Sequence, residues 1–259
     1  ACSMRQAPTL LAAHAHAQVR ARACALSEHI SSDWRPVSLP GAMQLTLQSA
    51  EGIAYTLSLY APETPAPAAG LPLVLALDGA NHFPTLASIG GRLAKRPDAT
   101  RVAPAIIAAI ESEPPQQRRH ADFTPWAPAD AADAPQAPFG EAEAFAAFLS
   151  ERVLPLIARR AKIDSARIGL IGHSLSGYFA IYAATRLPMI STICAVSPSL
   201  WWNHARLGAA LAACDLSAKR FFVAVGARET HPTRRMIESA RAITDQLAAS
   251  ASEARFTIL

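Results

Sequence analysis

The stretch that most restricts what this chain can become is Arg167–Tyr182, RIGLIGHSLSGYFAIY. Ile168, Leu170 and Ile171 form an apolar run of strand length, Gly172 and Gly177 mark a corner, and Tyr178–Ala184 is apolar enough for a buried helix. A strand that turns sharply into a helix puts Ser174 at the turn. Its hydroxyl then projects from the end of a sheet, and the backbone N–H of Leu175 faces the space beside it. That is the geometry of a nucleophile elbow, in which a serine attacks a carbonyl and N–H groups hold the oxyanion that forms. The pattern departs from G-x-S-x-G in one respect, because Ser176 takes the place of the second glycine and Gly177 follows it. A plainer reading of the same residues is that Ser174 caps a core helix.

The rest of the chain supports a sheet covered on both faces. Leu71–Leu77 is nearly uninterrupted apolar sequence and ends abruptly in Asp78-Gly79-Ala80-Asn81. Val102–Ile110, Met189–Val196, Phe221–Val225 and Arg255–Leu259 are further strand candidates, and Glu141–Ala161 carries Phe145, Phe148, Leu149, Val153 and Ile157 at helical spacing. Met43–Ser49 and Ile53–Tyr60, separated by Glu51-Gly52, read as an antiparallel pair. The alternation from Leu71 onward predicts an α/β fold, with a mostly parallel central sheet, helices on both faces and antiparallel N-terminal strands. Ligands bind such sheets at the carboxyl ends of strands. Asp78–Asn81, Ser174 and Glu229 each follow a strand candidate, so three loops converge on one edge. The N–H of Ala80, freed to bend inward by Gly79, is the candidate second oxyanion donor. The alternative is that Asp-Gly only turns the chain before a helix.

Length and charge bound what remains. A chain of 259 residues with 51% hydrophobic and 17% charged residues suits one α/β domain, read as residues 36–259, behind a helical or disordered N-terminal extension over residues 1–35. No apolar run reaches membrane-spanning length. The net charge of +4 comes from 24 basic and 20 acidic residues that are scattered, which argues against a nucleic-acid partner. The four cysteines and eight histidines lack metal-ligand spacing, so neither metal nor cofactor is expected. Ala1-Cys2-Ser3 fits a processed lipoprotein start or an arbitrary one, which leaves cytoplasm and periplasm both open. From Glu111 to Gly140 periodicity dissolves, and so long a loop usually builds a binding wall or lid. Arg118 and Arg119 in it are candidates for gripping an anionic acyl group, and Trp201 for the mouth of a pocket, against the alternatives of a solvated loop and ordinary packing.

VLALDGANHF, RRHADFTPW, GHSLSGYFAIY, AVSPSLWW and VGARE, in that order, make the chain resemble the Putative esterase family of α/β-hydrolases. Within it the likeness is to siderophore esterases of the enterobactin and salmochelin type, and the family also includes mycolyl transferases and S-formylglutathione hydrolases. The resemblance implies a serine esterase that cleaves carboxylic esters through an acyl-enzyme, acting on a small polar ester such as an anionic siderophore. It implies Ser174 as nucleophile, the N–H groups of Leu175 and Ala80 as oxyanion hole, Glu229 as acid, and Arg118–Pro125 as a substrate-facing loop. An acyltransferase of the same fold and a non-catalytic ligand-binding relative remain alternatives. In this fold the order is serine, acid, histidine, with the histidine after the last strand. Arg255–Leu259 looks like that strand and the sequence stops there, so the domain reads as truncated and weak hydrolysis is expected. His231 belongs to the preceding loop, and His173 is expected to point into the packing beneath the elbow.

Overall fold

In the strand β3 (Leu71–Leu77), Leu73, Leu75 and Leu77 join the main buried core, whereas Val74 and Ala76 face a second, smaller cluster. Strand β4 (Ile106–Ser112) divides in the same way, with Ile106, Ala108 and Ile110 on one side and Ile107 and Ala109 on the other. Successive side chains of a strand point to opposite faces, so an all-apolar strand requires cover on both. Helix α1 (Gly79–Leu93) supplies part of that cover, placing Phe83 and Ala87 in the smaller cluster. On the main-core side lies α6 (Leu175–Ala183), every residue of which is buried.

The computed structural model describes residues 36–231 and 234–259. The extension expected before residue 36, with Cys2 and Cys24, lies outside the described residues. Residues Leu39–Leu259 form one unit built on an eight-stranded sheet of order β1-β2-β4-β3-β5-β6-β7-β8. Strand β1 (Ala42–Gln48) pairs antiparallel with β2 (Ala54–Tyr60), which pairs antiparallel with β4. From β4 onward every pairing is parallel, through β5 (Ile163–His173), β6 (Ile190–Val196), β7 (Arg220–Val225) and β8 (Glu253–Ile258). This is the mixed sheet expected from the sequence. Among the described residues, no helix is long and apolar enough to cross a membrane.

Two expected elements shift. The strand expected from Val102 begins at Ile106 instead, because Pro104 has no N–H for a ladder, and it continues through Glu111 and Ser112, which pair with Thr56 and Tyr55. The single helix expected over Glu141–Ala161 is α4 (Ala142–Phe148), a wider π turn (Leu149–Val153), and α5 (Leu154–Arg160). Pro155 has no N–H for the carbonyl four residues back, and the wider turn accommodates the lost bond. The remaining helices are α2 (Pro97–Thr100), α3 (Arg119–Phe123), α7 (His204–Ala212) and α8 (Met236–Ala248).

At the start of β7, Lys219 is buried, and its ammonium donates to the carbonyls of Leu187, Pro188 and Ile190 at 2.9, 3.1 and 2.7 Å. Three oxygens around one cation pin the turn before β6 to the start of β7. Burial holds the Lys219 pKa below the usual lysine range.

The order of the sheet also says where a site belongs. From β3 the chain crosses to β4 on one side and later to β5 on the other, so the direction of winding reverses between β3 and β5. A crevice opens at the carboxyl ends of strands at such a reversal. The turns after those two strands carry Asp78 to Asn81 and Ser174.

Candidate active site

Strand β5 ends at His173 and α6 begins at Leu175, leaving Ser174 alone in the corner with φ 58° and ψ −119°. A non-glycine residue in such a conformation costs of order 1 to 3 kcal/mol unless its surroundings impose it. Here they do. Ser174 donates its N–H to Val196 O at 2.9 Å, and its carbonyl accepts from Tyr178 N at 3.0 Å and Ser199 N at 2.9 Å. Gly172 is required because a Cβ there would lie 2.2 Å from the Ser176 carbonyl oxygen. The Ser174 hydroxyl is half-buried and sits 3.1 Å from Ser199 Oγ. Leu175 occupies the first helical position, where an N–H has no partner within the helix.

Ser174 opens into a cavity of about 290 Å3 whose wall includes His173, Ser199, Trp201, Arg228, Glu229, His231 and Arg234. Larger hollows, of about 500 Å3 beside Arg118 and about 410 Å3 beside Tyr60, do not include Ser174. Glu229 is half-buried just past β7, and its Oε1 accepts from Ser197 Oγ at 2.5 Å and from Gly226 N at 2.9 Å. Those two donors fix the carboxylate at the carboxyl end of the strand. Trp201 is half-buried in the wall with the Arg234 guanidinium stacked 3.9 Å from its ring centre. Its neighbour Trp202 is fully buried, and its indole N–H donates to Trp126 O at 2.7 Å.

The other candidate residues lie elsewhere. The N–H of Ala80 is 3.3 Å from Glu111 Oε2, on the β4 side of its turn. Arg119 grips the buried Asp78 carboxylate with two bonds, of 2.7 and 3.0 Å. Arg118 pairs with Asp122 at 3.2 Å and with Glu141. Neither arginine belongs to the wall of the Ser174 cavity; its cations are Arg228 and Arg234, which the sequence reading did not single out. Ser197 and Ser199 were missed as well. Their signal was the alternation of Ser197-Pro198-Ser199 directly after β6. His173 corrects an expectation: its side chain is exposed and lines the cavity, with its ring 6.2 Å from that of His82. Burial lowers the pKa of His82. It lowers that of His120 too, with help from Arg119.

Around Arg118, burial pushes the Asp122 carboxyl up to about 6, while the Arg118 guanidinium and the Tyr55 hydroxyl, 2.9 Å away, pull the other way. The Tyr55 hydroxyl is itself raised by burial and by Asp122. Among the described residues, no three His, Cys, Asp or Glu side chains gather as a metal site. What the cavity offers instead is a serine hydroxyl beside a helix N-terminus, a fixed carboxylate across the next strand ends, and two guanidinium groups. Such a set suits attack on a carbonyl carried by an anionic molecule.

Comparison with known proteins agrees with this architecture. A model of the family described as "Putative esterase" matches residues 49–257. Ferri-bacillibactin esterase BesA of Bacillus subtilis (strain 168) is 31% identical over 229 residues, covering 82% of this chain and 78% of that protein. Siderophore enterobactin esterase of Emericella nidulans is 31% identical over 140 residues, covering 47% and 46%. Among solved structures, the BES protein from Bacillus cereus superposes with a TM-score of 0.76 at 26% identity, covering 87% of this chain and 91% of that one. The enterobactin and salmochelin hydrolase IroE shares the fold at a TM-score of 0.65 and 21% identity, covering 84% and 85%. A family match from the second strand to the last, together with a relative nearly one-third identical across four-fifths of the chain, makes this protein an esterase of the Putative esterase family, built on the α/β-hydrolase fold.

Proposed function

We propose that the protein is a serine esterase that opens ester bonds of an anionic siderophore, with Ser174 as nucleophile. The observation that carries this reading is the strained turn at Ser174, held in place by four backbone and side-chain hydrogen bonds and opening into a cavity that also contains a fixed Glu229. In the first step Ser174 Oγ bonds to the ester carbonyl carbon while a base takes the hydroxyl proton. The tetrahedral oxyanion rests against the Leu175 N–H, with the Ala80 N–H, released from Glu111, as second donor. Collapse expels the alcohol, which takes up the proton, and leaves an acyl-enzyme. Water then repeats the sequence and frees the acid.

Glu229 orients and stabilises the protonated base. His231, two residues along, stands in the same cavity wall, and the serine, acid, histidine order also allows a base after β8. The last residue beside β8, Leu259, is bonded through its backbone to Val225 and Ala227, so anything leaving that strand starts next to Glu229. The siderophore class rests on the names of the relatives and on Arg228 and Arg234 in the cavity wall.

The test is hydrolysis of ferri-bacillibactin and of enterobactin, followed by mass spectrometry of the products. Ser174→Ala should reduce turnover to the background left by binding and oxyanion stabilisation, about 10³- to 10⁴-fold over water. Undiminished hydrolysis by that variant would refute the assignment. His231→Ala and His173→Ala in the same assay test the two histidines of the cavity wall: a lost kcat in either places the base there, and an unchanged kcat in both excludes them.

A further inference from the structure

Ser176 stands where the elbow pattern has glycine, and it is fully buried. A buried hydroxyl without partners is strongly unfavourable, so its presence asks what it bonds. Ser176 Oγ accepts the N–H of His173 at 2.9 Å and donates to Asp78 Oδ2 at 2.6 Å. The carbonyl of His173 is also 2.9 Å away, but the single proton goes to the nearer, charged acceptor. The hydroxyl therefore braces the corner across Ser174, from the residue before it to the second residue after it, and ties the braced corner to the turn after β3.

Asp78 is equally constrained. It is 2% exposed and adopts a left-handed conformation, φ 54° and ψ 55°, immediately before α1. Arg119, from α3, donates its Nε to Oδ1 at 2.7 Å and a terminal nitrogen to Oδ2 at 3.0 Å. Both oxygens are engaged, and the guanidinium is further held 5.8 Å over the Phe123 ring. One carboxylate thus joins the turn after β3, the elbow after β5, and α3. These are the two sides of the crevice where the winding of the sheet reverses.

We infer that Ser176 is a positioning residue, which through Asp78 and Arg119 sets the spacing between the two oxyanion donors. Leu175 N–H is one residue before Ser176, and Ala80 N–H is two residues after Asp78. A bond between Ser176 and Asp78 fixes how far apart the two turns stand. None of Ser176, Asp78 and Arg119 belongs to the wall of the Ser174 cavity, so their action reaches the substrate only through the backbone they hold. Oxyanion donors act within a few tenths of an ångström of their best position, and a loosened frame weakens binding of the tetrahedral state more than that of the ester. This inference rests on the proposed function, with Ser174 as nucleophile and the Ala80 N–H, once released from Glu111, as second donor.

The experiment compares the protein with Ser176→Ala, Ser176→Gly and Arg119→Lys. It measures kcat and KM on an activated aryl ester, affinity for an aryl boronic acid that forms a tetrahedral adduct with the serine, and the melting temperature. Removing one oxyanion donor outright costs about 10²- to 10³-fold in kcat, so misplacing donors should lower kcat and boronate affinity together by about 10- to 100-fold. KM should stay within about twofold, because ester binding does not use the donors fully. Arg119→Lys, which keeps the charge but not the two-pronged grip, should fall between. A purely structural role would lower the melting temperature while leaving kcat and boronate affinity of the folded fraction unchanged, and that result overturns the inference. Should the Ser176 variants not fold, Arg119→Lys carries the same test from the more exposed end of the network. Ser174→Ala measured alongside separates the two failures. If it is inactive while the other variants match the wild type, only the positioning role falls; if it is fully active, the nucleophile and this inference fall together.

Discussion

Replacing Asp122 by asparagine should remove a pH dependence of stability that the wild-type protein carries between about pH 4 and about pH 6. Asp122 is 4% exposed, and burial raises its carboxyl from 3.8 to about 6 against the opposing pull of Arg118 and Tyr55. A raised carboxyl pKa means that the folded protein holds a proton that the unfolded chain has already released. Below the unfolded value both states are protonated and the contribution to stability is fully present; as pH rises through about 6 the folded carboxyl ionises as well and the contribution is lost. At ~1.4 kcal/mol per pH unit, the interval between the two values is worth ~3 kcal/mol, taken as an upper figure. Asp122→Asn is neutral throughout. Its amide oxygen still accepts the Tyr55 hydroxyl, and Arg118 keeps Glu141 as a partner. The variant should therefore gain on the wild type by up to ~3 kcal/mol as pH rises from about 4 to about 7. Urea unfolding followed by tryptophan fluorescence at steps of pH gives the difference curve directly. A curve flat within error would show that the carboxyl titrates at its ordinary value, and would refute the argument from burial.

Two further outcomes follow from the same structure. Replacing Arg228 and Arg234 together by alanine should raise KM more for anionic than for neutral esters, with a gap that narrows as salt rises, since exposed charges are screened over about 10 Å at 0.1 M; replacing Arg118 and Arg119 is a less specific perturbation, because both are engaged with carboxylates in the described fold. Lys219→Met should destabilise the protein by about 2 to 4 kcal/mol in denaturant unfolding, because it strands carbonyls that the ammonium now satisfies; a loss below about 0.5 kcal/mol would show that water replaces the cation at no penalty.

The sequence was most informative where chemistry and chain geometry coincide over a few adjacent residues. Gly172 and Gly177 mark a corner because a Cβ at either would crowd the backbone facing it, and β3 is legible from end to end because a nearly uninterrupted apolar run has one use in a sheet. What stayed hidden depends on contacts across distance in the chain. Arg119 reads as a free cation in its own neighbourhood, yet its partner Asp78 is 41 residues away. Ser176 reads as a tolerated glycine replacement, yet it binds a carboxylate 98 residues away. Helix α3 spans five residues, too few to show any period, so the stretch around it appeared structureless. His173 is expected in the packing beneath the elbow because it adjoins the corner, but it is the last residue of β5, where the sheet ends and the cavity begins.

The reversal of winding between β3 and β5 has a consequence for how such a protein can change. The corner that holds Ser174, and the Asp78 network that braces it, belong to the two central strands and are locked into the core. Trp201, Arg228 and Arg234 instead ride on the connections after β6 and β7, toward the opposite edge of the sheet. The Ser174 corner is therefore held by the core of the sheet, whereas the guanidinium groups of the wall ride on a connection that also carries Glu229. Exchange of Trp201, Arg228 and Arg234 one at a time, rather than of whole loops, can therefore reshape the wall of the cavity while the Ser174 corner and the bonds that hold Glu229 stay in place.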